Sequence, residues 1–252
     1  MVELRRNVAK HKLADGGIVS VAMGPMSSDL IEHFGLLDFD AIWLEGEHGP
    51  VDFGDIPDLT RACDLWGRSS IVRVNQHEPG VLYRSLDVGA QGIAVPHVNT
   101  ADEARRIVDA AKFGPIGHRG SATSRQGIGV ADYQLKANDE TMIVVLIEDI
   151  VSVNNLESIL NVDHIDVFFV APGDLAQSMG HTGRSSHPDV VATVDECIMR
   201  INAAGRVGGT LVTTATVEKY VKLGARFFSV SWVPWLMNGA QDYLDAITAA
   251  SR

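Results

Sequence analysis

Ile143-Val144-Val145-Leu146-Ile147-Glu148, followed later by Val167-Phe168-Phe169-Val170-Ala171-Pro172-Gly173-Asp174-Leu175, decides how this chain is read. Both stretches are short apolar runs with little polar alternation, the pattern of strands buried on both faces, and such strands are usually parallel. Each run is followed closely by an acid, Glu148 and Asp174. In a parallel α/β fold, ligands and metals bind at the carboxyl ends of the strands. Two carboxylates on neighbouring strand ends make a hard-oxygen site suited to a divalent cation. Taken singly, each acid also fits a helix cap or a surface ion pair; taken together, the metal site is the better reading.

Working outward, the same unit of apolar run, turn and amphipathic segment recurs along the chain. Strands are predicted at Ile18 to Ala22, Ala41 to Leu44, Ser70 to Val74, Gly92 to Val95, Ile143 to Ile147, Val167 to Val170, Gly208 to Val212 and Phe227 to Val230. Helical spacing falls at Asp29 to Gly35, Ile56 to Trp66, Gly80 to Gly89, Ala101 to Phe113, Asn154 to Leu160, Pro188 to Ala204, Ala215 to Gly224 and Trp235 to Ala250. Gly35, Gly89 and Gly224 end helices just before strands, which predicts left-handed caps. Asn99-Thr100-Ala101-Asp102-Glu103 opens a helix with a cap residue and early acids. Eight β-α units without a break in composition favour one α/β domain over residues 1–252, a single (β/α)8 TIM barrel, over a doubly wound sheet. The segment from Gly114 to Asn138 is long for one connection, and such segments often lie over a site.

Composition narrows the function. Of 252 residues, 46% are hydrophobic and 21% charged, enough apolar material for a sizeable core. A net charge of −11 argues against a nucleic-acid or anionic-membrane surface. An anionic substrate remains open, because a local cation overrides the overall field. The two cysteines, Cys63 and Cys197, read as reduced core residues of a cytoplasmic protein. No apolar run approaches the roughly 18 residues of a membrane helix, and Met1 to Asp15 lacks a signal-peptide pattern.

Further chemistry gathers on the same rim. His48, in Glu45-Gly46-Glu47-His48-Gly49-Pro50, can serve as a general base, with a nearby carboxylate setting its tautomer; a loop histidine bonded to backbone is the plain alternative. Of Glu45 and Glu47, only one is expected to point inward. Arg73 ends the third strand. A barrel interior does not accept an unpaired guanidinium, so Arg73 must meet an anion or stand at the mouth. There it can stabilise a developing enolate oxygen or pair with a neighbouring acid. The amides around Gly173 and Asp174 offer an anion nest for a substrate carboxylate. Arg119 either recognises a distal carboxylate or, as favoured here, anchors the long segment. His97 borders the site. His118, His164, His181 and His187 fall at no spacing that defines one. A dinucleotide fingerprint and a phosphate loop are both missing.

These stretches resemble the HpcH/HpaI aldolase family, the metal-dependent (class II) pyruvate aldolases related to 4-hydroxy-2-oxoheptanedioate aldolase. The resemblance spans nearly the whole chain. It rests on Phe39-Asp40 through Glu47-His48, Val72-Arg73, Asp87-Val88-Gly89-Ala90-Gln91-Gly92, Gly117-His118-Arg119-Gly120, Ile147-Glu148 and Pro172-Gly173-Asp174-Leu175. It implies a barrel assembled as a homohexamer. It further implies metal ligation (Mg²⁺, Mn²⁺ or Co²⁺) by Glu148 and Asp174, and contact of Arg73 with the keto oxygen of pyruvate. His48 with Glu45 would form a base dyad working through water, and the Gly173 and Asp174 amides would hold the carboxylate. Glu45 stands where the family commonly has aspartate, Leu146 where some relatives have glutamine, and Ser229 to Trp232 lack an aspartate often found there.

The expected activity is cleavage of 4-hydroxy-2-oxo acids to pyruvate and an aldehyde, with 2-oxo acid and aldehyde as small-molecule partners. The rivals are oxaloacetate decarboxylation through the same enolate, a thioester lyase of the citrate-lyase β type, and a non-catalytic barrel that binds 2-oxo acids.

Overall fold

The computed structural model describes residues 2–251. Eight parallel strands close into a barrel in chain order, each paired with the next and the last with the first. They are β1 (Val19–Met23), β2 (Ala41–Glu45), β3 (Ser69–Arg73), β4 (Gly92–Val95), β5 (Met142–Ile147), β6 (Val167–Val170), β7 (Gly208–Leu211) and β8 (Phe227–Ser231). Every expected strand is present within a residue or so of its expected bounds, and the (β/α)8 reading holds.

Period-two alternation separates two apolar layers. Val19, Val21, Ala41, Trp43, Ile71, Ala94, Val144, Leu146, Val167, Phe169 and Phe227 point into the barrel and form one cluster. Their neighbours, such as Ile42, Leu44, Ile143, Phe168 and Phe228, point outward against the helices. The interior is a packed core, with Trp43 and Phe169 centred 5.6 Å apart and Phe169 meeting Phe227 edge-on at 6.0 Å. Gly209 on β7 makes room for these rings. A Cβ there would lie 2.8 Å from the Phe227 carbonyl oxygen and 3.0 and 3.1 Å from the Phe227 and Phe169 rings.

The helices are α1 (Val8–Ala14), α2 (Ser28–Gly35), α3 (Ile56–Leu65), α4 (Pro79–Asp87), α5 (Ala101–Ala111), α6 (Tyr133–Glu140), α7 (Ile150–Asn154), α8 (Leu156–Leu160), α9 (Pro172–Ser178), α10 (Pro188–Ala203), α11 (Val217–Lys222) and α12 (Val233–Ala250). Thr100 caps α5 in a reciprocal capping box with Glu103. Gly89 and Gly224 carry the expected positive φ, but Gly35 does not. Gly35 is required for another reason: the Trp66 indole lies where its Cβ would be, 2.2 Å away.

Two placements differ from expectation. Helix α1, absent from the sequence reading, plugs the amino-terminal end of the barrel, with Ala9 and Leu13 in the interior cluster and the Ala9 amide donating to Ser69. The long segment Gly114 to Asn138 follows α5 and leads into β5, so it lies at that same end, away from the carboxyl ends of the strands. Arg119 is buried there against Asp87, at 2.6 Å, with its guanidinium over Phe113. Arg125 and Gln126 bind the Gly89 carbonyl. Arg119 therefore anchors the segment, and the segment does not cover the site of its own chain.

Candidate active site

Extending the inward alternation by one step places the chemistry. Trp43 is followed on the same face by Glu45, Ile71 by Arg73, and Leu146 by Glu148. Glu45 and Arg73 are direct partners in the β2–β3 register. Ile147 pairs with Val170, so Glu148 and the start of α9, with Asp174 in its first turn, leave adjacent strands. The core thus ends in a layer of charge at the carboxyl mouth of the barrel.

Arg73 is the centre of one half of that layer. Its Nε donates to both Glu45 oxygens, at 3.0 and 2.8 Å, and its Nη1 lies 2.9 Å from Glu47 Oε2. Nη2 makes no hydrogen bond to the described residues. Glu45 also accepts the Trp43 indole N–H and the amides of Glu47 and His48. Burial opposes ionisation of Glu45, but the hydrogen bonds and charge of Arg73 and the two amides outweigh it and hold the carboxyl below its ordinary range. Glu47 is pushed the other way: burial raises it, reinforced by the nearby Glu45 charge and only partly offset by Arg73, His48 and His97.

The expectation that only one of Glu45 and Glu47 points inward is corrected: positions two apart share a face, and although β2 ends at Glu45, both side chains reach Arg73. The geometry of His48 also differs from a Glu45–imidazole dyad. Glu45 receives the backbone N–H of His48, while the exposed imidazole has Nε2 3.8 Å from Glu47 Oε2.

Glu148 anchors the other half. It is 1% exposed, and its Oε1 accepts the His97 amide at 2.8 Å. Burial raises its pKa to about 7, against the His97 amide and ring, with the charges of Asp174 and Glu47 adding to the rise. His97 adopts φ +52°, a left-handed conformation rare outside glycine, which aims its amide at Glu148. Its ring stands between the two halves, 3.6 Å from Glu148 and 3.8 Å from Glu47. The sequence put His97 at the border of the site; the amide contact has no sequence signal beyond its place just past β4.

Two carboxylates, Glu45 and Glu47, thus hold the Arg73 guanidinium, and Glu148 feels the charges of Glu47 and Asp174. Glu148 Oε2 is buried without a hydrogen-bond partner, and Glu47 Oε2 makes no aligned hydrogen bond despite its ion pair with Arg73. Uncompensated buried carboxylate oxygens are costly unless a cation meets them. An all-oxygen donor set of this kind fits Mg²⁺ or Mn²⁺. At the start of α9, Ala171 provides no side-chain cap, leaving the Gly173 and Asp174 amides for an anion. A cavity of about 540 Å³ lined by Arg105, Asp109, Asp163 and His164 lies beside the connection into β6, at the opposite end of the barrel. Charge and unpaired oxygens, rather than cavity size, mark the site.

A closed parallel barrel whose core ends in an acidic, cation-seeking mouth defines a (β/α)8 enzyme scaffold. The chain belongs to the HpcH/HpaI aldolase/citrate lyase family, whose profile matches residues 23–232. It is 31% identical over 249 residues to a 2-keto-3-deoxy-L-rhamnonate aldolase of Salmonella gallinarum, covering 96% of this chain and 93% of that one. It is 38% identical over 197 residues to a 4-hydroxy-2-oxo-heptane-1,7-dioate aldolase of Salmonella dublin, covering 76% and 75%. The crystal structure of a family member from Burkholderia cenocepacia superposes with a TM-score of 0.90 at 30% identity, over 96% of this chain and 99% of that one. Aldolases of this family are carbon–carbon lyases, and this chain is an enzyme of that class. Among the described residues no helix is long and apolar enough to cross a membrane.

Proposed function

We propose that this protein is a divalent-metal-dependent aldolase that cleaves 4-hydroxy-2-oxo acids to pyruvate and an aldehyde, and runs the addition in reverse. The observation that carries this reading is the buried Glu148 carboxyl with an unpartnered oxygen, beside Asp174 and across the mouth from Arg73. Glu148 and Asp174 would hold Mg²⁺, Mn²⁺ or Co²⁺. The bound cation supplies Lewis-acid polarisation of the 2-oxo group.

The chain's own residues do the rest. The Gly173 and Asp174 amides orient the substrate carboxylate. Arg73 turns Nη2 toward the keto oxygen and is held there by Glu45, so its charge is in place before the enolate develops. His48, acting through a water, takes the 4-hydroxyl proton, and Glu47 is the carboxylate that faces its imidazole. As the C4–O⁻ electrons form the aldehyde carbonyl, the C3–C4 pair moves into the pyruvate enolate, which Arg73 stabilises until a proton returns to C3. Glu45, saturated by Arg73, Trp43 and two amides, acts as a positioning residue for both Arg73 and the turn that carries His48.

The named relatives act on a deoxy-sugar acid and on a dioate, so the acceptor end of the pocket varies within the family while the pyruvate end suits both. The free, buried Cys63 and Cys197 fit a reducing, cytoplasmic setting. Helix α12 buries none of its residues and exposes Trp235, Leu236, Tyr243, Leu244 and Ile247, which supports a homo-oligomer in which this helix packs against a second copy.

The test is pyruvate release from a panel of 4-hydroxy-2-oxo acids and from oxaloacetate, after chelator treatment and after adding back each cation. Activity is expected to vanish on stripping and return with metal. Turnover by the stripped protein would sink the mechanism. Decarboxylation of oxaloacetate without any aldol cleavage would favour the rival enolate lyase. Metal and pyruvate binding without turnover would favour a binding role.

A further inference from the structure

A second group of potential ligands stands apart from Glu148 and Asp174. His181 lies in the turn after α9, His187 is the residue before α10, and Asp189 sits in the first turn of α10. Helix α10 runs down to the start of β7, so its beginning stands on the mouth side of the barrel. The turn is held by its own backbone: the His181 amide donates to Ala176 at 2.7 Å, Arg184 to His181 at 2.8 Å and His187 to Arg184 at 2.9 Å.

The side chains converge without bonding well to one another. His181 Nε2 and His187 Nδ1 lie 3.5 and 3.7 Å from the same Asp189 oxygen, Oδ2. Both distances exceed a good hydrogen bond, about 2.7–3.2 Å. They approach the edge of a tetrahedron built on metal–ligand bonds of about 2.0–2.1 Å, which is roughly 3.4 Å. One ligand atom from each residue falls within a mutual 4.8 Å. The two rings stack with centroids 3.7 Å apart and 15° between their planes. His181 is 20% exposed, yet its Nδ1 is buried with no partner and its Nε2 makes no hydrogen bond to the described residues. A mostly buried imidazole with neither nitrogen engaged calls for a ligand.

We propose that His181, His187 and Asp189 form a second cation site, selective for a borderline transition cation such as Zn²⁺. Two imidazoles and one carboxylate favour Zn²⁺, Ni²⁺ or Cu²⁺ over Mg²⁺, which prefers oxygen alone. Binding fans the stacked rings apart so that both lone pairs meet the ion, and it replaces the 3.3 Å contact from the Asp189 amide to His187 Nδ1. Asp189 is 67% exposed, so water completes the coordination sphere. The ion staples the turn between α9 and α10. Because α9 carries Asp174 at its other end, the staple also stiffens one wall of the mouth. The site does not depend on the aldolase reading.

The experiment is equilibrium dialysis of the chelator-stripped protein against Zn²⁺ with excess Mg²⁺ present, with bound zinc measured directly. The ¹⁵N imidazole shifts of His181 and His187 are followed in parallel. One Zn²⁺ per chain is expected in the wild type and in Glu148→Gln. Affinity should fall at least about a hundredfold in His187→Gln and about tenfold or more in the exposed variant Asp189→Asn, which leaves the packing untouched. Circular dichroism confirms that each variant is folded. Zinc retained at full affinity by Asp189→Asn and His187→Gln would overturn the proposal. So would zinc lost on Glu148→Gln alone, because the ion would then sit at the barrel mouth.

Discussion

Replacing Glu45 by glutamine keeps the shape of the side chain and removes its charge from a pair that is 12% and 15% exposed. Both Glu45 oxygens accept from Arg73 Nε, and the same carboxylate accepts from Trp43 and two amides. The amide can still accept at one oxygen, but its NH₂ group now faces the Arg73 and Trp43 donors. Breaking a buried ion pair at one partner costs about 3–5 kcal/mol. Glu47 still pairs with Arg73, so the lower end, about 3 kcal/mol, is expected. For a chain of this size that corresponds to a fall in Tm of roughly 6–12 °C. The pH dependence follows from the lowered pKa of Glu45. A carboxyl held below its unfolded value contributes stability that is fully present above the unfolded pKa, 4.5, and is lost as pH falls through the folded value. The gap between wild type and Glu45→Gln should therefore be widest at neutral pH and narrow below about pH 4.5. Calorimetric melts across that range provide the assay, and pyruvate release at neutral pH should fall about 10–100-fold, mainly in kcat, because Arg73 loses its orientation. A Tm change under 2 °C, or a gap that widens as pH falls, would refute the reasoning that this pair is a structural as well as a positioning element.

Arg73→Lys keeps a positive charge but loses the fork that spans Glu45, Glu47 and substrate; kcat for aldol cleavage should drop about 10²–10³-fold with little change in metal affinity, and an unaltered kcat would remove Arg73 from the chemistry. Gly209→Ala places a methyl 2.8 Å from the Phe227 carbonyl oxygen and against two rings; urea unfolding should show a loss of about 1–3 kcal/mol, and no loss would mean the aromatic layer is looser than its geometry. Leu236→Glu with Leu244→Glu puts charge on the exposed face of α12; light scattering should report a smaller species than the wild type, and an unchanged mass would remove α12 from the assembly.

The strands were legible because a parallel barrel writes its strands as unbroken apolar runs, and β4 and β6 fall on their expected bounds. Glu148 and Arg73 were legible as polar residues at the ends of such runs, and the structure turns each inward, two residues beyond the core residues Leu146 and Ile71. The same rule places Glu47, two residues beyond Glu45, beside Arg73 as well, so the expectation of a single inward acid there is a misuse of the period and not a limit of the sequence. Helix α1 escaped notice for a different reason. Its plug against the barrel rests on Ala9 and Leu13 alone, while Lys10 and Lys12 reach Asp166 and Asp40, a contribution too small and too polar to register as periodicity. The segment from Gly114 to Asn138 was recognised as unusual but assigned to the wrong end, since length says nothing about which side of a sheet a connection takes; its place after α5 does.

Helix α12 shows where sequence periodicity stops short of the packing. Its helical pattern was read correctly, and its apolar positions Leu236, Ala240, Tyr243, Leu244 and Ile247 keep one face, as a core-facing helix should. Yet it buries nothing, although the helices before it pack on the barrel. A sequence encodes the face that needs a partner without stating whether that partner belongs to the same chain. An eight-unit barrel closes with its eighth strand, β8, so the helix that follows is free to leave without breaking the sheet. Near its start the half-exposed Trp235 still meets Phe39, ring centroids 6.1 Å apart, while Leu236, Tyr243, Leu244 and Ile247 beyond it stay exposed. Closure of the sheet and burial of the last helix are therefore separate problems. Substitutions on this face should alter association before they alter the catalytic mouth, where Arg73 ends β3, Glu148 follows β5 and Asp174 sits in the first turn of α9.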